Sequence, residues 1–88
     1  MTLRIFEQAG EIEAVVALHG WLSAPEVPAV ERLVAAHHGL LQVDLAHLVG
    51  VDAVGLRALR ALRARGVRIT GASPYVELLL ERTRETGK

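Results

Sequence analysis

The residues equipped for chemistry are few. They are Asp44, His47 and Asp52 in one short stretch, the pair His37-His38, the hydroxyls of Ser23, Thr70 and Ser73, and arginines at 57, 60, 63, 65 and 68. Asp44-x-x-His47 has the parts of an oriented general base, which a hydroxyl nucleophile would need beside it. No glycine pattern of a nucleophile elbow frames Ser23, Ser73 or Thr70, and both serines stand where helix caps belong, so the chain is not expected to be an enzyme. His37 and His38 differ by about 100° on a helix and cannot turn both rings to one face. They suit a helix end better than a metal site. Cys is absent and the only Lys is Lys88. Thiolate metal sites, a cysteine nucleophile and a phosphate-cradling Gly-x-x-x-x-Gly-Lys loop are thereby excluded. The expectation is no catalytic residue, no metal and no cofactor. A helix start at Asp52 would offer amides to a phosphate, but the carboxylate would repel it.

The arginines admit two readings. On a helix from Ala53 to Arg65, Arg57, Arg60 and Arg65 fan over the side away from Leu59 and Leu62, and no acid occurs from Ala53 to Ile69. Such a face is either simply solvated or a docking surface for an acidic partner. Ten basic residues balance ten acidic ones over 88 residues, so no overall field exists to hold a nucleic-acid backbone. The balance hides two unlike halves. Residues 1–44 hold two basic residues against six acidic ones, net −4, and residues 45–88 hold eight against four, net +4.

These groups must be positioned by a small core. At 51% apolar with one Trp, one Tyr and one Phe, the chain packs Leu, Val, Ala and Ile into a single folded domain spanning 1–88. The longest nearly uncharged stretches, Ala14 to Pro25 and Gly39 to Val51, fall short of the roughly 20 residues that cross a bilayer, so neither membrane insertion nor export is expected and the location is read as cytoplasmic. Thr2 to Glu7 alternates as a half-buried strand, and Ile12 to His19 follows as its hairpin partner, with Ile12, Ala14, Val16 and Leu18 on one face. Ser23-Ala24-Pro25-Glu26 reads as a capping box opening a helix from Pro25 to His38. Gly39 ends it, and Leu40 to Leu45 is a buried strand. Asp52 caps the helix that Gly66 terminates, Val67 to Thr70 is a strand, and Ser73-Pro74 opens a last helix through Thr86 whose inner residues are Val76, Leu79 and Leu80. The resulting class is α/β, a mixed sheet of about four strands with about three helices in the order ββαβαβα.

Within this frame, Val43-Asp44-Leu45-Ala46-His47-Leu48-Val49-Gly50-Val51-Asp52-Ala53-Val54-Gly55-Leu56 resembles the signature of STAS domains, the fold of bacterial anti-sigma-factor antagonists. In that family a strand ends in Asp-Leu, and eight residues after its Asp comes an Asp-Ser-x-Gly-Leu or Asp-Thr-x-Gly-Leu turn. Asp44 and Asp52 have that separation. Leu18-His19-Gly20-Trp21-Leu22 is similar to an early Leu-x-Gly-x-Leu element, and Gly66 through Val76 is similar to the following strand and Ser-Pro-x-Val helix start.

The resemblance implies a protein-binding regulator that meets an ATP-binding anti-sigma factor/serine kinase through Asp52, Ala53, Val54 and Gly55, with Arg57 and Arg60 adjoining. The family's phosphoacceptor hydroxyl falls at position 53, where this chain has Ala53. A phosphate there would add up to about two negative charges to the turn, and without an oxygen that switch is lost. The implied state is permanently the unphosphorylated, partner-binding one. The alternative within the same resemblance is a small accessory subunit of an ABC-type phospholipid transport complex that docks on its transport ATPase. An apolar edge left near the C-terminal end would favour a homodimer.

Overall fold

The computed structural model of the chain describes residues 3–37 and 39–86. Leu3–Gln8 (β1) and Glu13–Leu22 (β2) form the expected antiparallel hairpin, with Leu3 opposite Gly20 and Gln8 opposite Val15. After a 3-10 turn at Ala24–Glu26 come helix Val27–Ala35 (α1), strands Leu40–Asp44 (β3) and Leu48–Val51 (β4), helix Ala53–Ala64 (α2), strand Arg68–Thr70 (β5) and helix Pro74–Thr86 (α3). The five strands make one mixed sheet in the order β1-β2-β3-β5, with β4 also on β2.

The ten residues of β2 are the spine. The first half, Glu13 to Ala17, pairs in parallel with β3, and the end, Gly20 to Leu22, pairs in parallel with β4. The chain steps from one half to the other through Leu45 to His47. The Ala46 amide donates to Asp44 Oδ1 at 3.0 Å, an Asx turn, and the Gly20 amide donates to the His47 carbonyl at 3.1 Å.

Helices and sheet share one apolar layer. Val16 and Leu18 of β2, Leu41 and Val43 of β3, Val30 and Val34 of α1, Leu59 and Leu62 of α2, and Val76 and Leu80 of α3 are all buried in it. Period-2 alternation on the strands and i, i+3, i+4 spacing on the helices aim these side chains together. Leu59, fully buried near the centre, contributes roughly 1.5–3 kcal/mol by its burial. α2 ends as expected, since Gly66 takes φ +96°, which a side chain disfavours.

Four expectations are corrected. The order is ββαββαβα rather than ββαβαβα, because β4 is a separate strand and the sheet has five strands, not about four. Ile12 lies in the hairpin turn, 80% exposed, and takes no place on the inner face. Leu79 is only half-buried, while Val76 and Leu80 do face the core. The first helix is shorter than Pro25 to His38, and Ser23 forms no capping box. Its hydroxyl donates to Glu26 Oε1 instead of accepting an amide, so the turn starts 3-10 and becomes α-helical only at Val27. His38 lies outside the described residues. His37 does follow the helix end, where its amide donates to the Val34 carbonyl and its Nε2 comes within 3.4 Å of Glu7 Oε2 without hydrogen-bond geometry.

Candidate functional site

The first turn of α2 is built by Asp52. Its backbone is extended, with φ −88° and ψ −178°, as a cap requires. Oδ1 accepts from the Gly55 amide at 2.7 Å and Oδ2 accepts from the Ala24 amide at 2.9 Å, while its own amide donates to the Leu22 carbonyl at 3.1 Å. One exposed residue thus ties together the end of β2, the 3-10 turn and α2. The Gly55 amide above all, and then those of Ala24 and Val54, hold the carboxyl below its ordinary value of 3.8, against a smaller opposing effect of desolvation.

Gly55 is buried beneath this turn. A Cβ at that position would stand 2.5 Å from the Leu22 carbonyl oxygen and 2.7 Å from Val51 Cγ2, so only glycine lets the helix ride this close to the sheet. Its part is to seat the turn, not to present a surface. Ala53 and Val54 are the side chains the turn displays, both exposed. Beside them a shallow groove of about 220 Å³ runs between α1 and α2, lined by Val27, Glu31, Val54, Arg57, Ala58 and Ala61. It has an apolar floor and one charge of each sign on its walls. The α1 side of this groove was not foreseen. Its signal was present in the small residues Val54, Ala58 and Ala61, spaced i, i+4, i+7, which let a second helix approach.

The five arginines divide, with Arg65 exposed at the C-cap of α2. Arg57 is exposed and Arg60 half-buried on α2, and neither has an ion-pair partner among the described residues. Arg60 and Arg63 line a second groove of about 390 Å³ with Ala64 and Leu80, towards α3. Arg63 lies 3.6 Å from Glu77. Arg68 leaves the cluster altogether, since on β5 it reaches Glu13 at 3.1 Å across the sheet face opposite the helices.

The other candidates do not converge on a reacting centre. The Asp44 carboxylate holds the Ala46 amide, and the His47 ring lies against His19 with centroids 4.5 Å apart. Ser73 Oγ accepts from the Val76 amide at 3.3 Å as the expected cap, and Thr70 Oγ1 accepts from Gln42 Nε2 at 2.8 Å. Among the described residues no three His, Asp or Glu side chains are grouped to hold a metal ion, and no helix is long and apolar enough to cross a membrane.

No protein-family model and no curated protein matches the chain. Solved structures do. A crystal structure of Mglu superposes with a TM-score of 0.59 at 26% identity, over 78% of this chain and 19% of that one. Mglu in its native form gives 0.50 at 21% identity, over 73% and 22%. This chain therefore spans about a fifth of the length of those proteins. An uncharacterised protein of the DUF3478 family from Shewanella loihica PV-4, described with a SpoIIAA-like fold, gives 0.50 at 15% identity over 96% of this chain and 79% of its own. The chain has the mixed α/β, SpoIIAA-like fold, which is the STAS-like class.

Proposed function

We propose that the chain is a non-enzymatic protein-binding module of the anti-sigma-factor-antagonist type. Its partner surface is the Asp52–Gly55 turn with Arg57 and Arg60, and its partner is an ATP-binding anti-sigma factor/serine kinase. The observation that carries this reading is the display of Ala53 and Val54 on a helix start clamped from three sides by Asp52. A partner meets this surface without a large ordering cost, which favours binding. Position 53 has no oxygen to phosphorylate, so the module has no off-state at this turn.

The test is capture from native lysate followed by binding of the purified partner. Ala53→Glu and Arg60→Glu are each expected to weaken the complex at least about tenfold, by placing a charge on the contact or reversing one, with thermal unfolding nearly unchanged. Normal binding by both variants overturns the site. Recovery of a transport ATPase with no kinase or sigma-related protein overturns the partner class.

A further inference from the structure

The sheet ends on β1, whose outer rim bonds to no strand among the described residues. Edge strands are normally guarded by charged side chains, proline, a bulge or short length, and β1 has only the first of these, in Arg4 and Glu7. β1 has six residues, no proline, and an unbroken register with β2 from Leu3 to Gln8. The Phe6 ring lies tilted against His19 with centroids 4.6 Å apart, yet stays 49% exposed on the face opposite the helices. A regular, unbulged edge with an aromatic ring beside it is a template for another strand.

We infer that β1 pairs with β1 of a second copy, antiparallel about a two-fold axis through Ile5. Charge decides the direction. Parallel pairing in register would set Arg4 against Arg4 and Glu7 against Glu7, which is repulsive, and antiparallel pairing avoids both. Symmetry then limits the register, because a two-fold normal to the sheet must pass through a residue for the copies to share faces. With Ile5 on the axis, Ile5 meets its own copy on the core-facing side, Leu3 covers the stem of Glu7, and Arg4 of each copy faces the open side of the other's Phe6 ring. That is a cation–π contact made twice. With Phe6 on the axis, Glu7 again faces an apolar residue, Ile5 in place of Leu3, but Arg4 faces Gln8 and both cation–π contacts are lost. Ile5 is the register that gives each Arg4 an aromatic face. The pairing is independent of the partner surface proposed on α2.

The test is the molar mass of the 88-residue chain by light scattering between about 5 µM and about 1 mM, the range where small interfaces dissociate. The expected mass rises from one chain to two. Phe6→Lys sets an ammonium opposite Arg4 twice and should leave one chain throughout. Adding Arg4→Glu to Phe6→Lys restores attraction and should restore the dimer. Arg4→Glu alone, on an exposed side chain, should weaken the dimer about 5- to 30-fold through two lost cation–π contacts, and it reads the same contact if Phe6→Lys fails to fold. A wild-type chain that stays single, an Arg4→Glu chain that dimerises as tightly as wild type, a folded Phe6→Lys chain that still dimerises, or a double variant that does not recover, each overturns the inference.

Discussion

Gly55→Ala isolates the close approach on which the candidate site rests. The new Cβ would start 2.5 Å from the Leu22 carbonyl oxygen, 2.7 Å from Val51 Cγ2 and 3.0 Å from Leu22 Cγ. An ordinary carbon–oxygen contact is roughly 3.3 Å, so α2 must lift by about 0.8 Å, the difference from 2.5 Å. The obstacle is backbone, which does not swing aside as a side-chain tip would. The Leu22 carbonyl also accepts from Asp52, so the same movement strains the bond that ties the helix start to β2. Overpacking costs about 1–3 kcal/mol, and with two contacts this short and one of them backbone the cost falls in the upper part, about 2–3 kcal/mol, of which the better helix propensity of Ala returns about 1 kcal/mol. The net loss is about 1–2 kcal/mol, and at about 4–8 °C per kcal/mol the melting temperature falls by about 4–16 °C. Circular dichroism melts read it, with Gly39→Ala as control, since a Cβ at Gly39 meets nothing within 4 Å. A Gly55→Ala chain that melts at or above wild type refutes the reasoning.

Leu59→Ala, at a fully buried position of the shared core, should lose about 2–5 kcal/mol in urea unfolding. A loss below about 1 kcal/mol would mean that α2 does not anchor the core. Asp52 gives a pH signature. Its folded carboxyl titrates below 3.8, so near and below that pH the unfolded chain binds more protons, and the stabilisation is complete above 3.8 and fades as pH falls through the lowered folded value. The stability gap between wild type and Asp52→Asn, measured in urea, should therefore shrink from pH 7 to pH 2.5, and a gap of constant size rules out this role.

The ends of α2, the start of α3 and the hairpin were legible because local chemistry decides them. Asp52 caps α2, Ser73 caps α3, and Gly66 needs its positive φ whatever lies nearby. β4 was not legible because its reason for existing is distant. Leu48-Val49-Gly50-Val51 is short and contains a glycine, and it becomes a strand only because β3 stops halfway along β2 and leaves the end of β2 unpaired. Gly50 is itself a tertiary matter, since a Cβ there would fall 2.6 Å from Trp21 Cη2, in the space the indole occupies. The site divides in the same way. The spacing of Asp44 and Asp52 marked the turn, but Asp44 serves an Asx turn and the second ligand of Asp52 comes from Ala24, 28 residues earlier in the chain. A capping box at Ser23 was a reasonable local expectation that failed because the Glu26 amide donates to the Ser23 carbonyl while the Ser23 hydroxyl turns to the Glu26 carboxylate.

The long-range bond between Ala24 and Asp52 separates two kinds of residue that the signature runs together. Asp52 and Gly55 build the turn, and a change at either alters packing, cap and surface at once, so lost binding by such a variant says nothing about contact. Ala53, Val54 and Arg57 are displayed by the turn without holding it, and Arg60 borders the neighbouring groove. Only the second group can report on a partner. On the proposed reading, a phosphate at the displayed position would charge the contact while the clamp stays closed. Ala53 carries no oxygen, so if this turn is the partner surface proposed above, control of binding comes from the partner or from abundance rather than from position 53.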